Sequence, residues 1–110
     1  MNDRELLKLA AKAAGISVWT DIDGNHFSSN DIGAAECPWN PLTDDGDALR
    51  LAVKLKIDLR NFHSDEVAAQ FKLPDQLGWS EHSEDRSTDP YAATRRAIVR
   101  AAAEIGKNVA

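Results

Sequence analysis

The sequence predicts an α+β fold in which three helices pack on a small, mostly antiparallel sheet. Two observations carry that expectation. Apolar residues recur at helical spacing in three capped segments, near 3–14, 45–56 and 90–105, and switch to alternation by two in the stretches between. Gly, Pro, Asn and Asp gather at the joins, where the chain has to turn. A chain of 110 residues has room for one core, so a single domain over 1–110 is expected.

The first helix is expected from Asp3 to Ala14. Asn2 is a good N-cap, Glu5 follows three residues later as in a capping box, and Gly15 supplies the stop. Leu6, Leu9, Ala10, Ala13 and Ala14 share one face, with Arg4, Lys8 and Lys12 opposite. From Ile16 to Ser29 the alternation is strand-like, and Asp23-Gly24 reads as a hairpin turn. Residues 30–42 read as a connecting segment whose Pro38 and Pro41 block ladder pairing, with Trp39 anchoring the loop on the core. The second helix runs from about Asp45 to Lys56, capped by Thr43 or Asp44. Its apolar arc, including Ala48, Leu49, Leu51, Ala52, Val53 and Leu55, exceeds half the circumference and predicts burial between neighbouring elements.

Ile57, Leu59 and Asn61 alternate with Asp58 and Arg60 in a strand pattern ending near Phe62 and His63. Glu66 to Phe71 is read as an edge strand and Leu77 to His82 as a further strand bearing Trp79, after which Ser83 to Thr88 form a polar loop. The last helix has Asp89 as N-cap, Pro90 in its first position and Gly106 as its stop. Tyr91, Thr94, Ala97, Ile98, Ala101 and Ile105 follow one line along it, and Arg96, Arg100 and Lys107 lie opposite.

Charge and composition narrow the function classes. Eighteen acidic residues against 13 basic give a formal charge of −5, a poor default for binding a phosphate backbone. The acidic surface serves solubility, or mimics nucleic acid to a basic partner. No stretch approaches the roughly 18 apolar residues of a membrane span, and no signal-peptide pattern opens the sequence. Cys37 is the lone cysteine, which excludes an internal disulfide and any zinc site of two or more thiolates. A reducing cytoplasm is the expected compartment.

Motifs with chemistry are sparse. His26, His63 and His82 sit in different elements without metal-ligand spacing. Asp21, Asp23 and Asn25 beside Gly24 suggest a calcium loop, but the twelfth position is Ile32 where that loop needs Glu. Asp44, Asp45 and Asp47 are explained by capping and the helix dipole. The six glycines are isolated, so no phosphate loop is present. Neither a metal nor a cofactor is expected. The candidate binding residues are Arg95, Arg96 and Arg100, which could contact phosphate, and Trp39 and Trp79, whose indoles offer stacking faces.

Segment 39–55, opening Trp39-Asn40-Pro41-Leu42-Thr43-Asp44, and segment 89–106, opening Asp89-Pro90-Tyr91, resemble the small bacteriophage and prophage proteins of the phage α-β-α sandwich domain type. With the first helix the resemblance spans nearly the whole chain, apart from 64–88. It implies an α-β-α sandwich-like layering and a phage or prophage origin. It carries over no catalytic residue, and Asn40 and Asp89 enter as turn and cap residues only.

The expected function is therefore non-enzymatic: a phage accessory protein that binds a host or phage protein in the bacterial cytoplasm, in host takeover or anti-defence. The alternative is a small-molecule or nucleotide-binding protein using the basic face of the last helix. An enzyme using His63 or His82 with a carboxylate is the third reading. The broad apolar arc of the second helix fits a covered monomer or a symmetric homodimer.

Overall fold

The computed structural model describes residues 2–16, 18–20, 26–29, 36–61, 64–73 and 78–108, the side chains of 18–20, 26–29 and 36–38 excepted. It is an α+β fold in the order α1 (Asp3–Ala14), β1 (Val18–Thr20), β2 (His26–Ser29), β3 (Glu36–Pro38), α2 (Asp45–Leu55), β4 (Asp58–Asn61), β5 (Glu66–Lys72), β6 (Trp79–Asp85) and α3 (Pro90–Lys107). The expected Asp23-Gly24 turn, the adjoining Asp21 and Asn25, and His63 lie outside the described residues.

Local chemistry sets each helix end. The Asn2 side chain accepts from the Glu5 N–H at 2.9 Å, and Gly15 closes α1 in the left-handed region at φ 70°. Asp44 rather than Thr43 caps α2, accepting from the Asp47 N–H at 2.8 Å. Lys56 ends that helix at φ 57°, a left-handed conformation that a side chain with a Cβ adopts at a cost. Asp89 accepts from the Tyr91 and Ala92 N–H groups, with Pro90 in the first turn of α3. Between Trp39 and α2, the Asn40 carbonyl accepts from the Thr43 and Asp44 N–H groups and its side chain accepts from the Leu42 N–H, which folds the Asn-Pro turn expected there.

The strands form two three-stranded antiparallel sheets, β1-β2-β3 and β4-β5-β6, where one small sheet was expected. Two boundaries differ from the sequence reading for identifiable reasons. Pro38 does not block pairing: it ends the edge strand β3 opposite Phe27, where a missing N–H costs no interior ladder bond. The polar run Ser83-Glu84-Asp85 continues β6, because Glu84 turns inward to arginines while its neighbours face outward.

Helix α3 is the centre of the helical layer. It packs on β5 and β6 below, on α1 along one side and on α2 along the other, while α1 and α2 barely meet. Helix α1 runs parallel to α3: Asp3 pairs with Arg96, Leu6 sits with Arg100 and Ala103, and the Leu9 backbone meets Gly106. Gly106 is not a stop. The helix continues through it to Lys107, and a Cβ there would collide with the Leu9 carbonyl, so glycine is what allows the two helices to close up. Alanines on both helices, including Ala10, Ala11, Ala97 and Ala101, belong to one buried cluster with Leu6, Leu7, Leu51, Phe71 and Ile98. Burying each large aliphatic side chain in that cluster contributes about 1.5–3 kcal/mol.

Candidate functional site

The three candidate arginines are all engaged within the fold. Arg95 donates through Nε to the Leu42 carbonyl at 2.8 Å and through Nη1 to Asp45 at 2.6 Å, tying α3 to the turn that opens α2. Arg96 turns the other way, to Asp3 at 3.0 Å and to Glu84 at 3.5 Å. Arg100 reaches Glu84 at 3.0 Å and also donates to the Ser83 carbonyl at 2.9 Å. Arg96 and Arg100 thus converge on one carboxylate and clasp α1, α3 and β6 together. The stripe seen in sequence is the seam between these elements.

The tryptophans are not brought together with the arginine clasp. Trp39 is 6% exposed and belongs to the core cluster, so its ring faces are covered. Trp79 is 52% exposed at the start of β6, on the opposite face of that strand from His82 and Glu84. Of the three histidines only His82 has a described side chain. It stacks on Phe71 with ring centroids 6.2 Å apart and shares a 3.1 Å hydrogen bond between its Nε2 and the Ser80 hydroxyl. Burial lowers its pKa, the cations of Arg100 and Lys107 lower it further, and Glu104 opposes them. The imidazole lines a pocket of about 180 Å³ with Leu6, Arg100, Ala103, Glu104 and Lys107.

A shallow acidic depression of about 350 Å³ lies where Ser64, Asp65 and Glu66 meet Ser83, Glu84 and Asp85. Its Glu84 carboxylate is already held by arginines, and hydrogen bonds from Ser87 lower the Asp85 pKa. Asp47 is likewise structural, accepting from the Asn40 N–H at 2.9 Å and pairing with Arg50 at 2.7 Å. Among the described residues no group of three or more His, Cys, Asp or Glu side chains could hold a metal, and no helix is long and apolar enough to cross a membrane.

What remains open, among the described residues, is one face of α2 and the strand β4 that follows it in the chain. Leu49 is 59% and Val53 70% exposed, one helical turn apart, although the sequence pattern pointed to burial. The reason is geometric: α2 has α3 on one side only, and Ala48, Leu51 and Ala52 fill that contact. Leu49 and Val53 lie about 120° around the helix from the middle of that buried stripe. Every residue of the following strand, Asp58–Asn61, is exposed, Leu59 among them. Tyr91, expected on the buried line of α3, is also exposed because it precedes Ala93, where burial of α3 begins. The wide arc of α2 was the sequence signal for this flank, but a pattern cannot say whether a neighbour covers it.

No protein-family model and no curated protein matches this chain.

Proposed function

We propose that the chain is a small phage or prophage accessory protein, acting in the bacterial cytoplasm by binding a protein, and that it binds through the α2–β4 flank. The observation that carries the binding surface is the exposure of Leu49 and Val53 on a helix whose other face is fully packed. Large apolar side chains grouped on an exposed flank mark interaction sites more often than scattered ones. The phage setting rests on the resemblance of the Asn-Pro and Asp-Pro turns and the helices they open. A photo-crosslinking residue placed at 49 or 53 in phage-bearing cells is expected to capture one defined protein, and the same residue at Lys8, on the exposed face of α1, is expected to capture none. Equal, diffuse labelling at all three positions would remove the reading.

The second reading is a small anion held in the His82 pocket, favoured by the convergence of His82, Arg100 and Lys107. It has to compete with Glu84 for Arg100 and with Glu104, 3.5 Å from the Lys107 ammonium. A nucleotide with a stacked base fits less well, since Trp39 is covered. A melting temperature unchanged across a panel of phosphate, nucleotides and dicarboxylates would dismiss it.

A further inference from the structure

We infer that the occupant of the α2–β4 flank is a second copy of this chain, joined by antiparallel pairing of β4 with the partner's β4 about Leu59. The inference rests on the reading of that flank as a protein-binding surface and names the protein bound.

Hydrogen-bond phase determines which groups are on offer. The Leu73 N–H donates to the Gly78 carbonyl at 2.8 Å, and the Arg86 N–H to the Asp65 carbonyl at 2.9 Å. In the β5–β6 register those bonds place odd-numbered residues of β5 toward β6, and so even-numbered ones toward β4. The even-numbered residues Gln70 and Ala68 stand opposite Asp58 and Arg60. Asp58 and Arg60 therefore spend their backbone groups on β5, while the N–H and C=O of Leu59 and Asn61 point out of the sheet edge. An exposed edge with free backbone groups is a template for another strand.

Charge selects the register. Centring the pair on Leu59 sets Leu59 against the partner's Leu59, Asp58 against the partner's Arg60, and Arg60 against the partner's Asp58. Shifting the centre by one residue sets Arg60 or Asp58 against its own copy, a like-charge pair that destabilises. Arg60 already interacts within its own chain, and its five N–H donors leave capacity for a second carboxylate. The arrangement closes with two-fold symmetry, so no open edge of β4 remains.

The helical layer agrees. Helix α1 lies toward β6, where Arg96 joins Asp3 to Glu84, while α2 packs on α3 and leads into β4 through Lys56 and Ile57. Joining two three-stranded sheets at β4 about a two-fold axis puts both helical layers on the same side of the sheet, with each α2 linked to its own β4 by Lys56 and Ile57 alone. Leu49 and Val53, on the flank of α2 turned from its buried stripe, are exposed apolar surface left for a partner to cover.

Sedimentation velocity of the full chain over a concentration series tests this. A monomer–dimer equilibrium is expected, with Asp58→Arg and Arg60→Asp each weakening association about tenfold or more. The Asp58→Arg/Arg60→Asp double variant restores the reciprocal pairs and is expected to return close to the parent affinity, which a merely misfolded variant would not do. A monomer at every concentration, or a double variant no better than the singles, overturns the inference. If the chain is monomeric while crosslinkers at 49 and 53 still capture a foreign protein, the dimer falls and protein binding stands. If those crosslinkers join only copies of this chain, the dimer is supported and binding of a foreign protein at this flank falls.

Discussion

At the β6 edge of the second sheet, Arg100 donates to the outward carbonyl of Ser83, Glu84 gathers two arginines, and α1 lies alongside. At the β4 edge, four exposed residues carry one aspartate and one arginine, and the neighbouring helix leaves Leu49 and Val53 uncovered. The two edges draw on similar residues. What separates them is where long-range partners come from: β6 receives side chains from a helix that is itself clamped, whereas β4 follows α2 after only Lys56 and Ile57. Guarding an edge discourages association, so the β4 edge, which among the described residues receives Arg86 at Asn61 but no clamped helix, is where association is to be sought.

The contrast breaks most severely at Gly106. Replacing it with Val inserts atoms into the Leu9 backbone, so α1 must move off α3 and the guard over β6 loosens with it. Overpacking of this kind, with backbone as the obstacle, is expected to cost more than about 3 kcal/mol, read as a lost or strongly lowered urea midpoint. A variant as stable as the parent would show that the helices do not approach there.

A matched pair of charge removals sharpens the contrast. Glu84→Gln leaves Arg96 and Arg100 without their shared carboxylate, and Glu84 is mostly covered, so a loss of about 1–2 kcal/mol is expected after allowing for the partial exposure of both arginines. Asp58→Asn, in the monomer, is expected to stay within about 0.5 kcal/mol. Equal losses in urea unfolding at low protein concentration would erase the distinction between the edges.

These two cases also show what was legible in the sequence. Caps at Asn2, Asp44 and Asp89 were readable because each is a bond between a side chain and a backbone two or three residues away. The arginine clasp was not, because Arg96 meets Asp3 across 93 residues and Arg95 meets Asp45 across 50. The sequence therefore showed a basic stripe and could not show that carboxylates were waiting for it. Gly106 was misread for a related reason: locally it looks like a helix stop, and only the approach of α1 explains it. Glu84 was lost in an apparent loop, since the last residues of an edge strand carry polar groups on both faces and show no alternation.

The pH dependence belongs to the guarded side. His82 has its pKa lowered in the folded chain by burial and by Arg100 and Lys107, so below about 6.5 the unfolded chain binds the proton more readily. Stability is expected to be unaffected by this group above that pH and to fall as the pH drops from there through the lowered value. His82→Gln should flatten that part of the profile, whereas a slope that persists unchanged assigns it to another group.

A modest effect of the opposite sign is expected at the joint leading to the open edge. Lys56 holds φ at 57°, where its Cβ crowds the backbone, and its N–H helps close α2 by bonding to the Val53 carbonyl at 3.3 Å. Lys56→Gly relieves the crowding and keeps the bond, but the unfolded chain gains freedom. The balance is expected to favour the folded state by about 0.5–1 kcal/mol, with the dimer affinity unchanged because Lys56 precedes the pairing residues. If the variant instead shifts the monomer–dimer equilibrium, the angle at which α2 delivers β4 is itself part of the interface, and the open edge is shaped as well as exposed.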